Sequence, residues 1–509
     1  MTPQQRARAA RRTSEPEESP APLGGWNTRD PFEAMDPKDA IILDNWFPDF
    51  AGLTSRNGSV TFATGLDATA PVQTLAILRA SSINQFLGAA GGKIFNISAG
   101  GAVGASLGSG FTSDIWQTVH FNSHLFWVNG SDPAQVYDGT TLAATGFTGA
   151  NMSTMSGVGA FNNRLYFWTG TDPSFWYGPV LGIAGALSNF PLSMVTREGG
   201  NLIAVEVLSY DGGTGIDDYT CFFMTSGEVL MYQGTDPSNP NNWALVGRYM
   251  IPTPVAQRAI TRYGGDVYII TANDHQQLSK LFISLKLGET APRTKIAGAA
   301  KAAYAAGKNL PGWQALYYGA GTRMIYNIPN PDGTFSQHVY NTSTQAWCRF
   351  RGMPAYCWGV YNDQLYFGAA KGVVVQADIG SNDRGTPILT QGQQAWQTFG
   401  TPLIKRVTAV RPVVQSNGIA MFNMGLGFDY QLSGMQFPEA TVGFNNALIW
   451  GAGNWGPPRV WGGGAGVTDP RWHIGGGQGA AIGLSVAANA SVATTWIRTD
   501  LLLEPGNAL

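Results

Sequence analysis

The residues most able to bind metal or transfer protons are few in this chain and lie far apart. The five histidines are His120, His124, His275, His338 and His473. His120 and His124 are four residues apart, and inside one strand that spacing puts them on one face but about 13 Å from each other. Zinc holds its ligands at about 2 Å, so the histidine spacing predicts no metal site.

Two sets of aspartates also bear on metal binding. Asp211, Asp217 and Asp218 share one glycine-rich loop, but their spacing lacks the regularity of a calcium loop. The Asp-Pro pairs stand at 132–133, 172–173 and 236–237. Such pairs are typical of turns in which Asp accepts hydrogen bonds from nearby backbone amides. The Asp-Pro aspartates are therefore interpreted as turn residues, and no calcium site is predicted at 211–218.

Other chemistries have no clear motif in the sequence. The glycine-rich stretches 88–92 and 100–110 lack the Lys-Ser/Thr of a phosphate-binding loop. Glycoside hydrolysis needs two carboxylates close in space, and spacing along the chain does not reveal such a pair. We therefore expect no catalytic residue, no cofactor and no enzymatic activity.

The composition is that of a chain of short strands. Charged residues make up 13% of the chain, against about 25% in average soluble proteins. The 66 glycines suit tight turns, and the aromatic share of 12% suits pleated faces. The net charge of −2 gives no indication of binding to nucleic acid through its phosphates.

Cysteine usage and hydropathy bear on the compartment. Cys221, Cys348 and Cys357 are too few and too irregularly spaced for a disulfide framework, so we expect them to be buried apolar residues. The sequence has no run of about 18 apolar residues, so it predicts no membrane span. Residues 1–20 lack the apolar core of a signal peptide. These features predict synthesis in a reducing cytoplasm.

One phrase recurs between residues 70 and 385, namely a two-residue polar turn followed by alternating aromatic and aliphatic residues. Clear copies begin at Phe121, Phe161, Ser226, Tyr263 and Tyr361, and weaker copies begin at Gly91 and Gly321. A polar turn that enters a half-buried strand is typical of a β-hairpin. The copies are spaced widely enough for four-stranded sheets, which predicts a β-propeller of six or seven degenerate blades. A set of β-sandwiches is the main alternative.

The pattern divides the all-β chain into four parts. Residues 1–22 are expected to be a disordered arm with basic and acidic residues, residues 23–69 an extended segment packed on the propeller, residues 70–399 the propeller with a short helical insertion near 292–308, and residues 400–509 a sandwich-like β domain. The arginines of the arm could contact DNA or an acidic partner, or the arm could be a solvated tail.

The extended segment carries a family resemblance. It contains Gly24-Gly25-Trp26-Asn27-Thr28-Arg29-Asp30, then Asp36-Pro37-Lys38-Asp39-Ala40-Ile41-Ile42-Leu43-Asp44-Asn45-Trp46-Phe47-Pro48, and ends at Arg56-Asn57-Gly58. These phrases resemble the opening of tail nozzle and hub proteins of short-tailed bacteriophages. Val136-Tyr137-Asp138-Gly139 and Phe161-Asn162-Asn163-Arg164-Leu165-Tyr166 are similar to the propeller blades of those proteins.

The resemblance implies a structural protein of the phage virion, made in the host bacterial cytoplasm. It would form a homo-hexameric ring, the tail tube or nozzle, below the portal and the head-to-tail adaptor. The ring would conduct or gate genome ejection, anchor fibres or spikes, and let DNA pass without sequence-specific binding. No functional residue is carried over, because such proteins work through surfaces.

Tryptophans are the candidate interaction residues, since aromatic anchors are enriched at interfaces. They are Trp26, Trp46, Trp450, Trp455, Trp461 and Trp472. The Gly/Trp-rich stretch 450–472 is interpreted as an inter-subunit or gating element, against an internally packed loop. Two other functions stay open: a carbohydrate-binding or carbohydrate-cleaving propeller, such as a receptor-binding tail protein, and a bacterial propeller scaffold. A tube protein should self-assemble, whereas a glycan-binding protein should bind sugar as an isolated subunit.

Overall fold

The computed structural model describes residues 14–211, 216–287, 293–416, 421–432, 467–468, 472–490 and 492–505. The chain forms two compact units. We call the unit of residues 58–343 and 350–380 the propeller, and the unit of residues up to 57, 344–349 and from 381 onward the β domain.

The described residues contain 44 strands and two α-helices. The first six strands are β1 (Glu15–Pro20), β2 (Gly25–Trp26), β3 (Asp39–Asp44), β4 (Trp46–Asp49), β5 (Gly52–Ser55) and β6 (Ser59–Thr64). The next fifteen are β7 (Thr74–Ala80), β8 (Ile83–Ala90), β9 (Lys93–Asn96), β10 (Gly101–Ala102), β11 (Gly108–Ser109), β12 (Gln117–Phe121), β13 (His124–Val128), β14 (Gln135–Tyr137), β15 (Leu142–Ala144), β16 (Gly146–Thr148), β17 (Gly157–Phe161), β18 (Arg164–Trp168), β19 (Ser174–Tyr177), β20 (Ala184–Ala186) and β21 (Ser188–Pro191).

The middle of the chain continues with β22 (Leu202–Asp211), β23 (Ile216–Met224), β24 (Glu228–Gly234), β25 (Trp243–Met250), β26 (Ile260–Tyr263), β27 (Asp266–Ile270), β28 (His275–Gln277), α1 (Leu278–Leu287), α2 (Ala297–Gly307), β29 (Gln314–Tyr318), β30 (Arg323–Pro329), β31 (Phe335–Asn341), β32 (Trp347–Arg351), β33 (Cys357–Tyr361), β34 (Gln364–Ala369) and β35 (Val373–Ala377). The last strands are β36 (Asn382–Asp383), β37 (Thr386–Gln394), β38 (Lys405–Ser416), β39 (Met421–Phe428), β40 (Val467–Thr468), β41 (His473–Ile474), β42 (Gln478–Gly479), β43 (Ile482–Ala490) and β44 (Thr494–Pro505).

The predicted all-β fold with a β-propeller is confirmed. Five blades are separate antiparallel sheets, which begin at β7, β12, β17, β22 and β26. Two further meanders are β29–β31 and β33–β35, and β6 pairs with β35 as the outer strand of the latter. In the described residues, the innermost strands β7, β12, β17, β22, β26, β29 and β33 each contact the next, and β33 contacts β7. This closed ring of seven inner strands excludes the alternative of separate sandwiches in this region.

Aromatic side chains fill the spaces between consecutive blades. Trp116 and Trp127 of the second blade meet edge to face at 6.1 Å and belong to one cluster with Leu87 of the first blade. Phe175 stacks on Phe222 at 4.7 Å across the third and fourth blades. Phe86 of the first blade stacks on Tyr361 of the last at 4.9 Å. The alternating aromatic residues of the repeat are therefore core, and the ring is closed by the same packing that joins its blades.

The polar turns of the repeat have the backbone that hairpins require. Asn122-Ser123, Asn162-Asn163 and Asn362-Asp363 all have positive φ at both residues, as expected for a two-residue turn between antiparallel strands. The flanking strands pair across each turn, for example at Phe121 and His124. The hairpins predicted from the sequence are confirmed at these positions.

Two sheets form the β domain. One contains β4, β5, β44 and β38, with β1 beside β44 and with β40, β41 and β42 along β38. The other contains β2, β3, β37, β43 and β39. Buried apolar residues of β38, β43 and β44 form one cluster, which includes Val407, Leu484 and Leu501. This is a sandwich-like arrangement.

The N-terminal segment differs from its expected placement. Residues 1–22 were expected to be a disordered arm, but residues 15–20 form β1, which pairs antiparallel with residues 498–503 of β44. Residues 23–69 were expected on the propeller, but β2 to β5 pair within the β domain and only β6 joins the propeller. The alanine-rich helix α2 lies within the segment where an insertion was expected.

Candidate functional site

The channel at the centre of the propeller is lined by the first strands of all seven blades. Two adjoining cavities of about 450 Å³ and 430 Å³ lie along it. Gln117, Gln257, Arg258 and Gln314 line both cavities and so form the layer between them. Cavities of this size accommodate small molecules.

Arg258 reaches from the turn before β26 to the first two blades. Its terminal nitrogens donate to the carbonyl oxygen of Gln73 at 2.8 Å, to the hydroxyl of Thr74 at 2.8 Å, and to the carbonyl oxygen of Trp116. All three acceptors are uncharged, and no carboxylate pairs with Arg258 within the described ranges. Burial lowers the pKa of this guanidinium.

Two further charged side chains line the larger cavity. Glu206 of β22 and Arg262 of β26 both line it. Burial raises the pKa of Glu206 to about 7, while the Arg262 charge and the Val207 amide oppose that shift. Because the described residues that line the two cavities include one carboxyl group and two guanidinium groups, they carry a net positive charge.

A buried histidine pair lies elsewhere in the propeller. His275 Nε2 and His338 Nδ1 are 2.9 Å apart, and the His275 ring stacks on Tyr326 with centroids 4.4 Å apart. Both rings are buried, and burial lowers the pKa of His275 to about 3. A neutral, mutually hydrogen-bonded pair is typical of core histidines, and the described residues offer no group of three or more side chains placed to hold a metal ion.

The other predicted residues fall in structural positions. His120 and His124 lie on the paired strands β12 and β13 and not on one strand, because the chain turns between them. Asp172 and Asp236 accept bonds from backbone amides two residues on, as turn residues do. The buried Asp132 instead binds the more distant loop at Thr112.

Cysteine and serine positions give no reactive site. The three cysteines are free and buried, as predicted. The segment 104–108 reads Gly-Ala-Ser-Leu-Gly, which has the spacing of a hydrolase nucleophile elbow. It lies between the two-residue strands β10 and β11, and no helix follows it. It therefore lacks the strand–turn–helix geometry on which an elbow depends.

Two of the predicted interaction tryptophans are core residues of the β domain. Trp46 is fully buried, with its ring 6.4 Å from that of Trp496. Trp26 is 4% exposed, and the Arg349 guanidinium lies 5.0 Å from its ring. The prediction that these two side chains form an interaction surface does not fit their burial. Trp450, Trp455 and Trp461 lie outside the described residues.

Trp472 has a different environment. It is 41% exposed and lies 4.8 Å from the Arg411 guanidinium, which also binds Asp500. Ile474, two residues on in β41, is 96% exposed. Leu403 and Ile404, just before β38, are exposed as well. We call these four residues the apolar edge of the β domain.

The residues of the N-terminal phrases form polar links inside the β domain. Asn27 donates to Asp39 at 2.7 Å, and Arg349 binds Asp44 through two bonds of 2.7 and 2.8 Å. Arg56, whose side chain is 2% exposed, binds Asp383 and the side chain of Asn45. Residues of each phrase therefore hold segments of the β domain together.

Comparison with known proteins gives only weak structural likenesses. No protein-family model matches the chain, and no curated protein matches it significantly. Solved structures with some likeness include the computationally designed Ika8 protein (TM-score 0.37, 12% identity, 66% of this chain and 96% of that chain). BBS1N in complex with ARL6DN has a TM-score of 0.40 at 11% identity over 65% of this chain and 99% of that one. PorZ of Porphyromonas gingivalis has a TM-score of 0.37 at 11% identity over 69% of this chain and 44% of its own.

No helix in the described part of the chain is long and apolar enough to cross a membrane.

Proposed function

We propose that this chain is a structural subunit of a virus particle, namely the tail-tube or nozzle protein of a short-tailed bacteriophage. In this proposal, copies of the chain assemble into a hexameric ring below the portal and adaptor. The ring conducts or gates the genome and anchors fibres or spikes. The resemblance of residues 24–58 to nozzle and hub proteins suggests the class.

The observation that carries the proposal is the apolar edge of the β domain. Trp472 and Ile474 are both exposed at β41, which among the described residues pairs only with β38. Exposed apolar groups on a sheet edge favour association, and a stable monomer normally protects such an edge with charges or prolines. A heterologous contact repeated around a closed symmetry axis would cover this edge in every copy.

The N-terminal phrases support the same proposal. Asp44, Arg56 and Arg349 connect segments that are more than 300 residues apart in sequence. Buried, bidentate arginine–carboxylate pairs fix geometry strongly. A β domain held in one rigid shape suits a ring subunit, because the interface must repeat identically from copy to copy.

The test is the mass of the purified full-length protein by light scattering, with rings viewed by negative-stain imaging. We expect wild-type protein to form rings, or to form them on the adaptor, and Ile474→Asp to stay monomeric. Asp at this edge would place a carboxylate in an apolar contact in every copy.

The matched control is Met194→Asp, which introduces the same charge at an exposed apolar position of the propeller. It should assemble as the wild type does. If Ile474→Asp forms rings as well as the control does, the apolar edge is not the interface. If the wild type never forms rings, the nozzle proposal itself fails.

The carbohydrate-binding alternative would use the propeller channel, whose larger cavity is lined by Trp116, Trp168 and Trp358. Binding of neutral sugar by an isolated monomer that does not assemble would favour it.

A further inference from the structure

Arg258 is an unusual residue to find at the centre of a propeller. Among the described residues that line the smaller cavity it is the only charged one. Arg258 is partly buried, and taking a guanidinium out of water is costly unless it is fully bonded and paired with an anion. The three neutral acceptors of Arg258 satisfy its hydrogen bonds in part and leave its charge uncompensated.

The layer between the cavities contains donors that make no hydrogen bond within the described ranges. The Nε–H group of Arg258 takes no part in the three bonds that its terminal nitrogens make. The side-chain amides of Gln117 and Gln257, in the same layer, form no hydrogen bond within the described ranges although both residues line both cavities. One fixed cation flanked by two unengaged amides is a donor set for an anionic group with neighbouring hydroxyls.

Charge in the larger cavity favours the same class of ligand. Arg262 adds a second positive charge, and Glu206 is the only carboxylate among the described residues that line this cavity. Trp116, Trp168 and Trp358 also line it and provide apolar surface beside the polar layer. The combination of a few convergent polar groups with aromatic walls is that of a small-molecule site.

We propose that the channel binds a small organic anion, whose carboxylate or phosphate group pairs with Arg258 and whose hydroxyl groups bond to Gln117 and Gln257. The two cavities fit a ligand of the size of one or two sugar rings. This site is independent of the ring interface, so either proposal can fail alone.

The experiment is titration calorimetry on the full-length protein with four probes: glucose 6-phosphate, glucuronate, inorganic phosphate and uncharged glucose. The three anions should bind and glucose should not. A preference for glucuronate identifies the anionic group as a carboxylate, and a preference for glucose 6-phosphate identifies it as a phosphate. Binding of inorganic phosphate as tight as that of the sugar phosphate would contradict the role given to hydroxyl groups at Gln117 and Gln257.

Arg258→Gln should weaken anion binding about tenfold or more, the usual loss for a charge-assisted hydrogen bond. The control Arg79→Gln removes one positive charge from an exposed position on β7 and should bind as the wild type does. Arg258 also links three inner segments, so a second variant is chosen at a residue without such a structural role. Gln117→Leu is suitable, because the native Gln117 side chain makes no hydrogen bond within the described ranges. It should fold normally and weaken binding about threefold to tenfold.

Three results would overturn the proposal. The first is that no anion binds wild-type protein at millimolar concentration. The second is that a folded Arg258→Gln protein keeps full affinity. The third is that Gln117→Leu binds glucose 6-phosphate and glucuronate as tightly as Arg79→Gln does.

Discussion

The clearest quantitative consequence of the structure concerns Trp46, which the sequence suggested as an interaction residue and which is fully buried against Trp496. A buried Trp side chain removes about 150–250 Å² from water, which corresponds to roughly 4–6 kcal/mol at 25 cal/mol per Å². Measured large-to-small substitutions of this kind cost about 3–5 kcal/mol. Trp46→Ala should therefore destabilise the β domain by about that amount.

The assay is differential scanning calorimetry of the full-length protein, with the lowest-temperature transition followed in each variant. For a domain of roughly 150–250 residues, each kcal/mol shifts Tm by about 2–4 °C, so Trp46→Ala should lower Tm by around 10 °C. Trp46→Phe is the matched control. It keeps an aromatic ring and removes an indole N–H that has no hydrogen-bond partner in the structure, so its Tm should fall much less.

Trp472→Ala completes this comparison, because Trp472 is partly exposed. Its Tm as a monomer should stay within about 2 °C of the wild type, as expected for a surface substitution. If Trp46→Ala melts with the wild type while Trp472→Ala melts early, the assignment of core and surface is reversed and the reasoning is refuted.

Three further predictions follow from charged and titratable groups. Burial lowers the pKa of His275 to about 3 in the folded protein, below its unfolded value of 6.5. The free energy of unfolding therefore falls as pH falls below 6.5, and the loss between pH 7 and pH 5 is about 2 kcal/mol. His275→Asn should show a flatter dependence of urea midpoint on pH, and equal slopes for the two proteins would contradict this. Burial raises the folded pKa of Glu206 from its ordinary 4.5 to about 7, so stability falls as pH rises from about 4.5 to 7 and stays low above that. Glu206→Gln should therefore raise Tm clearly at pH 8 and much less at pH 5, and an unchanged Tm at pH 8 would argue against burial of the charge. Arg56→Ala leaves the Asp383 carboxylate without its buried partner and should lower the free energy of unfolding by about 3–5 kcal/mol. The control Arg29→Ala breaks an exposed pair with Asp30 and should lower it by under about 1 kcal/mol in the same melting assay.

Local features of this fold could be predicted from the sequence. Hairpins such as the one at Asn162-Asn163 are specified by adjacent residues, because a two-residue polar turn and alternating apolar residues fix both the turn and the buried face. The recurrence of that phrase then predicts a propeller. Burial of the three cysteines followed from their chemistry in the same way.

Long-range pairing could not be predicted from local pattern. Residues 15–20 are polar and contain two prolines, so they resemble a disordered arm, yet their backbone forms an edge strand on β44, where prolines are tolerated. The segment with Trp26 and Trp46 pairs with strands more than 300 residues later, and nothing nearby in sequence indicates this. The same burial explains why these two tryptophans do not form a surface.

The channel residues were missed for a related reason. Arg258 has no motif around it, and its role depends on Gln73 and Trp116, which are about 140 to 185 residues away in sequence. A cation at the centre of the ring becomes visible only when all seven inner strands are in place.

The most direct test of the proposed nozzle ring is the mass of the full-length protein, measured by light scattering with negative-stain imaging. The mass is measured for the protein alone and after mixing with a portal–adaptor complex. We expect a ring with a central opening, formed either by the protein itself or on the adaptor, and lost in Ile474→Asp. A monomer that persists at high concentration and does not bind the adaptor would contradict it.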